Sequence, residues 1–463
     1  MAALPVEGPG SRRMDKGVPF VASSRRAWSM TVLLMAAMAL SYWDKAVLGL
    51  AAVPIMTELH LSNSMYGLAS SSFYLLFSVT AVLVGLMVNR IRSRWVFVVL
   101  ALLWAVAQSS LVLTSTVAAL FVARILIGAA EGPANPLAVH TVHSWFPPQR
   151  RSLPTALSQI ASAIGALTSA PILTWVIIEH GWRWGFLTTA LLSALWALVY
   201  AIFGKDRPVE TAPSTEDVED AEAAERVGQF TDLPDARVAY RRILLCGTFV
   251  GAVAMAIAAQ WNLAVIVSWL VPFFVKVAGF SASAAGNMVI LPNLVAIIGI
   301  LAIGAMSGRL IARGVSDRYP LGVITGLTVT TGGICTLLVP YLGTGALLVC
   351  GVPLAVGLPL VAVTSAFNAV GRICPPAQRG AVMGTLQGLY AIGSIAGPYT
   401  MGLVLDAHPD AASGYGTGFT ITGVLVVVGG MCAVLLVNPS ADRHRLAADT
   451  TSTANQPSGI AAK

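Results

Sequence analysis

Apolar residues run along this chain in twelve long stretches, each separated from the next by a short polar or charged break. A helix that crosses the hydrocarbon core of a bilayer needs about 20 mostly apolar residues at 1.5 Å rise each. The stretches cover 27–52, 65–88, 95–113, 117–139, 153–178, 184–203, 243–274, 284–306, 320–339, 347–370, 381–405 and 418–437. The pattern predicts an all-α polytopic membrane protein of twelve transmembrane helices. The first stretch is too long for a signal-peptide core and carries Asp44 and Lys45, so it is expected to be retained.

Composition sharpens this. The chain is 56% hydrophobic and 11% charged with a mean hydropathy of +0.77, values foreign to soluble domains. If both termini lie on one side, 24 of the 28 Lys and Arg residues fall in the tails and in the loops on that side. Arg183 and Lys276 fall on the other, while Lys45 and Arg124 lie inside stretches. The positive-inside rule therefore predicts cytoplasmic termini and an inner-membrane location, and the net charge of +7 needs no nucleic acid to explain it. Cys246, Cys335, Cys350, Cys374 and Cys432 lack metal-ligand spacing and read as apolar packing residues. Neither His-Glu-x-x-His nor Gly-x-Ser-x-Gly occurs, so neither an enzyme nor a cofactor is expected.

The stretches divide into a cytoplasmic tail (1–26), a six-helix bundle (27–203), an acidic linker (204–242), a second six-helix bundle (243–437) and a polar tail (438–463) that reads as disordered. The halves repeat. Gly85-x-x-x-Asn89-Arg90-x-x-x-Arg94 follows the second stretch, and Gly304-x-x-x-Gly308-Arg309-x-x-x-Arg313 follows the eighth. Pro147-Pro148-Gln149-Arg150-Arg151 with Gln159 and Gly165 is matched by Pro375-Pro376-Ala377-Gln378-Arg379 with Gln387 and Gly393. Paired repeats with a site between them near the midplane are the plan of secondary transporters.

The loop after the second stretch resembles the signature of the major facilitator superfamily, with Asn89 in place of its usual acid and Arg92 in place of its usual glycine. Three further segments resemble the anion:cation symporter family of sugar-acid, phthalate and sialate-type carriers. They are Ser41-Tyr42-Trp43-Asp44-Lys45, the run from Arg124 through Gly128, Glu131 and Pro133 to Trp145-Phe146-Pro147-Pro148, and Gly181-Trp182-Arg183-Trp184. The resemblance implies two pseudo-symmetric six-helix bundles, acids of the first and fourth helices as proton sites, and the adjacent basic residues as substrate contacts. It also implies a gating role for Asn89, Arg90, Arg94, Arg309 and Arg313.

The residues point the same way. A charge at the bilayer centre costs from about 2.5 kcal/mol upward and persists only when paired or hydrated. Asp44, Lys45, Arg124 and Glu131 sum to zero, and Arg124 and Glu131 share a helix face two turns apart. Asp44 is expected near Arg124 and Lys45 near Glu131, and purely structural pairs are the competing reading. An anion bound at Lys45 and Arg124 would compete with the two acids for their counter-charges, so anion binding favours proton uptake. The partners expected are thus a small organic anion, a proton and the bilayer, and a monomer suffices.

Lys45 stands where most relatives have arginine, and Phe77 and Ala81 where sugar-acid carriers have tyrosine and glutamine. Fewer hydroxyl partners favour an aromatic or short aliphatic carboxylate over a sugar acid. Further candidate substrate contacts are Tyr42, the helix-seven set Gln260, Trp261 and Asn262, the helix-ten set Thr364, Ser365 and Asn368, and the helix-eleven set Gln387, Tyr390 and Ser394. Each set equally fits interhelical hydrogen bonding. Pro133 and Pro136 are expected to bend the fourth helix, and Gly165, Ser169, Gly384, Gly388 and Gly397 to allow close helix packing. A drug exporter of the same fold and a non-transporting sensor are the alternatives; buried cations disfavour cationic drugs.

Overall fold

The computed structural model describes residues 24–87, 92–114, 116–146, 152–205, 238–343, 345–375 and 378–454, and among these the chain is helical throughout, without a strand. In the first half lie α1 (Ser24–Leu50), α2 (Ala52–Glu58), α3 (Asn63–Met87), α4 (Ser93–Leu113), α5 (Val117–Glu131), α6 (Ala134–Trp145), α7 (Ser152–His180) and α8 (Trp182–Phe203). The second half has α9 (Tyr240–Leu245), α10 (Gly247–Lys276), α11 (Ala282–Asn287), α12 (Ile290–Ala312), α13 (Thr325–Leu338), α14 (Ala346–Gly357), α15 (Val361–Gly371), α16 (Arg379–Ala407), α17 (Ala411–Leu436) and α18 (Pro439–Ala454). Eleven spans among the described residues are long and apolar enough to cross a membrane, and α3, at 25 residues, fills the remaining place in the expected twelve.

Several spans are interrupted where proline removes a backbone donor. The fourth breaks at Gly132 and Pro133 into α5 and α6, the ninth opens with a π-helical turn over Arg318–Ile324 that holds Pro320, and the tenth is pinched at Leu358–Leu360 around Pro359. Outward faces carry Leu, Val and Ile, as lipid contact requires. Cys350 is exposed among them, outside the packing role expected of it.

The core is divided in a way that defines the conformation. At the end that bears the termini each half has its own apolar core, one around Leu34, Phe97, Trp104 and Trp196, the other around Phe249, Met255, Val370 and Leu386. At the opposite end a single cluster joins both halves, from Val47, Phe73 and Trp182 to Trp269, Phe274 and Tyr415. There the backbones nearly touch: a Cβ on Gly67 would lie 2.3 Å from the Pro398 carbonyl oxygen, and one on Gly402 2.4 Å from that of Asn63. Tyr66 donates to the carbonyls of Leu48 and Ser268 at 3.2 and 3.1 Å, stitching α3 to α1 and α10. Asp406, at the C-terminal end of α16, accepts from the main-chain N–H of Asn63 and of Ser64 at 3.0 and 2.8 Å. The molecule is thus sealed at the end distal to the termini. Gly384 and Gly388, expected to be in close packing, face open space because the halves splay apart at the other end. Gly165 and Gly397 do meet neighbouring backbone, at Ala39 and Trp261.

The tail expected to be disordered begins instead with α18. Asn438 donates its main-chain N–H to the Thr248 hydroxyl at 3.1 Å, Asp442 accepts from the Thr248 N–H at 2.7 Å, and Leu446 is buried. Its polar composition hid the few residues that dock.

Candidate functional site

The charged cluster is assembled within the first half, where α1, α3, α4 and α5 converge. The closeness of α3 and α5 comes from Gly128: a Cβ there would fall 1.7 Å from the Phe73 carbonyl oxygen, so only glycine admits the neighbouring helix. One turn back, Arg124 is 4% exposed and its guanidinium lies 4.8 Å from the centre of the Phe73 ring. Glu131 follows two turns after Arg124 on the same face, immediately before the Gly132–Pro133 break.

The expected pair of Lys45 and Glu131 is present, with Nζ 2.6 Å from Oε2. Ser41, one turn from Lys45 on α1, donates to the same Glu131 oxygen at 2.9 Å and accepts from Lys45 at 3.2 Å. The Glu131 side chain is wholly enclosed, whereas that of Lys45 is 28% exposed. Lys45 is therefore the cation that reaches open space. Its ammonium stands 5.9 and 5.7 Å from the rings of Phe73 and Phe77, which wall it on the α3 side.

The second expected pair takes a different form. Arg124 is beside Asp44, but its Nη1 donates to the Asp44 main-chain carbonyl, at 3.5 Å, and not to the carboxylate. The carboxylate is instead held by Gln108 of α4, whose Nε2 donates to Oδ1 at 2.9 Å. Gln108 was missed by the sequence reading. A lone glutamine in the third apolar stretch was its only signal.

The remaining candidates divide. The Tyr42 hydroxyl donates to Asn293 Oδ1 of α12 at 3.3 Å, across the two halves, within an apolar-walled cleft that Gly49, Ile266 and Val356 also line. Trp261 is part-buried and donates to Thr422 of α17 at 3.3 Å. Asn262 is fully buried and donates to the Ala355 carbonyl of α14 at 3.3 Å, an interhelical bond within the second half. Ser365 is engaged with Thr325 at 3.1 Å in the same manner. Asn368 and Thr364 are exposed, Gln387 and Tyr390 half-buried, and the ring of Tyr390 packs edge-on to Phe367 at 6.2 Å. Thr364 and Asn368 lie on α15, Gln387 and Tyr390 on α16. Arg309 and Arg313 are exposed at the terminus-bearing end, and Arg94 bonds the Ala201 carbonyl and stacks on Trp95. Asn89 and Arg90 lie outside the described residues. Among the described residues no cluster of His, Cys, Asp and Glu is arranged to hold a metal.

The arrangement is a charge-balanced quartet, buried except at Lys45, whose side chain is part-exposed. Comparison with known proteins then identifies what kind of machine this is. A model of the Major Facilitator Superfamily matches residues 34–370. A probable sulfoacetate transporter of Cupriavidus necator is 26% identical over 404 residues, covering 86% of this chain and 91% of its own. A D-galactonate transporter of Escherichia coli is 23% identical over 440 residues, covering 92% and 98%. Among solved structures, a bacterial homolog of the human lysosomal transporter Spinster, inward-facing and unoccupied, superposes with a TM-score of 0.71 at 16% identity over 92% of this chain and 99% of that one. A D-xylose–proton symporter superposes at 0.69 with 17% identity, over 90% and 99%. At such identities these structures establish the fold alone.

Proposed function

This chain belongs to the major facilitator superfamily, and from that premise we propose that it is a secondary transporter taking up a small organic carboxylate together with a proton by alternating access. Its place is the inner membrane, with both termini cytoplasmic. The observation that carries the reading is the Lys45–Glu131 pair: a part-exposed cation bound to an acid whose side chain has no exposure of its own.

An anion entering the cleft meets Lys45 first. Its carboxylate and Glu131 then compete for one ammonium, and a buried acid stripped of its partner is relieved by taking a proton. Substrate and proton therefore load together, and the neutral assembly crosses the bilayer in the rocking step. Arg124 adds a second fixed positive charge behind Phe73. Tyr42, Asn368, Gln387, Tyr390 and Trp261 are the polar and aromatic groups proposed to meet the rest of the substrate, with Asp44 as the second proton site. Asn89, Arg90, Arg94, Arg309 and Arg313 are proposed to govern closure at the cytoplasmic end.

Phe73 and Phe77 beside Lys45 supply apolar wall where a sugar acid would ask for hydroxyl partners. This favours an aromatic or short aliphatic acid. The sulfoacetate carrier among the relatives fits a small, highly charged aliphatic anion, while the galactonate carrier represents the sugar-acid alternative.

The test is the melting temperature of detergent-purified protein with sulfoacetate, benzoate, succinate, galactonate and a hydrophobic cation, at mildly acidic and mildly alkaline pH. A ligand at 100 times its Kd adds about 2.7 kcal/mol of stability. Stabilisation by one carboxylate class, stronger in acid and lost in Lys45→Ala, is the expected result. Stabilisation by the hydrophobic cation alone would replace this reading with that of a drug exporter.

A further inference from the structure

The two buried acids have partners of different chemistry. Glu131 is bound by an ammonium and a hydroxyl. Asp44, with no exposed surface, is bound through its carboxylate by the amide of Gln108, itself with no exposed surface. Arg124, the nearest guanidinium with a bond to Asp44, addresses the main chain. Two atoms at this contact, Asp44 Oδ2 and Gln108 Oε1, have no hydrogen-bond partner among the described residues.

A primary amide differs from a cation in one decisive way. Its N–H donates to a carboxylate, and its carbonyl accepts from a carboxylic acid. When Asp44 takes a proton on Oδ2, the acid O–H and Gln108 Oε1 become donor and acceptor, while Nε2 keeps its bond to Oδ1. Two parallel hydrogen bonds then join the side chains, and both orphaned atoms are satisfied. An ammonium or guanidinium in the same place would satisfy the carboxylate only, because neither has an acceptor. The charged groups whose fields reach Asp44 are Glu131 and Arg124 on α5 and its neighbour Lys45 on α1. They sum with Asp44 to zero, so protonating Asp44 leaves the cluster with one net positive charge to match an anion.

We infer that Gln108 is a positioning residue for proton coupling, holding Asp44 in both its ionised and its protonated forms through the closed states of the cycle. The inference rests on the symport reading above and deepens it. The step is a proton transfer alone: a proton from water on one side converts the Asp44 carboxylate to the acid, and the same proton leaves to water on the other. No other bond is made or broken.

Infrared difference spectra of the purified protein during acid titration test this without any substrate. A carboxylic-acid C=O band that is absent in Asp44→Asn is the signal. In Gln108→Met, which preserves volume and removes both partners, this band is expected at higher frequency with a displaced midpoint. Gln108→Asn, too short to reach, is expected to behave likewise, and Asp44→Glu combined with Gln108→Asn to restore the paired band by returning the missing methylene. In vesicles, with sulfoacetate, benzoate and galactonate as probes, Gln108→Met is expected to lower proton-driven accumulation by about tenfold, the scale of one lost hydrogen bond to a charged group. Apparent anion affinity should stay within about twofold. An Asp44 band of unchanged frequency and midpoint in folded Gln108→Met, or in the shortened variant if that one misfolds, overturns the inference. Wild-type protein that accumulates no anion under a proton gradient overturns the symport reading instead, and the infrared outcome still decides the pairing.

Discussion

Lys45 reaches across from α1 to within 2.6 Å of Glu131 on α5, and only the lysine has exposed surface. Removing one partner of a buried pair leaves an uncompensated charge, which costs about 3–5 kcal/mol in full burial and less where one partner is hydrated. Lys45→Ala should therefore destabilise by about 1–3 kcal/mol and abolish anion uptake. Glu131→Gln, which keeps the shape, should retain anion exchange while losing accumulation driven by a proton gradient. Calorimetry in detergent and vesicle uptake check the two parts, and accumulation intact in Glu131→Gln would remove Glu131 from the coupling scheme.

Phe77 offers the simplest change of specificity. Its ring lies 5.7 Å from the Lys45 ammonium, where sugar-acid carriers of the resembled family have tyrosine. Phe77→Tyr adds one hydroxyl to the wall. The expected outcome is a shift of up to about tenfold towards galactonate over benzoate in competition uptake, the net worth of one added hydrogen bond.

Asp406 caps the N-terminus of α3 from the opposite half, accepting from Asn63 and Ser64. Loss of such a cap costs about 0.5–2 kcal/mol, and here the loss falls on the sealed conformation alone. Asp406→Ala should shift the population towards opening at the end distal to the termini. Cysteines introduced at Ser64 or Tyr399 should react faster with an impermeant thiol reagent applied from that side, in a background lacking the five native cysteines; unchanged labelling would show that the cap does not hold the seal.

Glu58, beyond the end of the first span, is bonded by the Arg183 guanidinium and by Trp182 Nε1, the latter at 2.7 Å. The Arg183 bonds, then the Trp182 bond, hold its carboxyl below the ordinary glutamate value. A lowered folded-state value means that the contribution to stability is present above the unfolded-state value, about 4.3, and is lost as pH falls through the folded one. The pair is solvent-exposed, so the effect is small. Melting temperature should decline on acidification below about pH 4.5 more steeply in the wild type than in Arg183→Ala.

Gly128 is where packing tolerates least. Gly128→Leu would drive a side chain into the Phe73 backbone, and overpacking costs about 1–3 kcal/mol or more. Misfolding or a sharp fall in yield is expected, whereas Gly384→Ala, facing open space, should fold normally.

Sequence alone determined the class, the spans and the identities of the buried charges, because each follows from local facts: the length of an apolar run and the cost of an ion in hydrocarbon. It also paired Lys45 with Glu131, while the same spacing and charge balance paired Asp44 with the Arg124 guanidinium, which meets its main-chain carbonyl instead. What holds Asp44 was decided by the tertiary structure. Nothing local distinguishes Gln108 from any other amide in an apolar helix until α4 is packed against α1 and the amide meets the carboxylate. The same is true of Asp406, whose role depends on an α3 terminus 343 residues away, and of α18, whose polar sequence docks through a few residues at Thr248. Gly384 and Gly388 looked like packing glycines because sequence carries no record of which conformation the halves adopt. Only the arrangement of the two bundles, joined at one end and parted at the other, settles which of their faces are in contact.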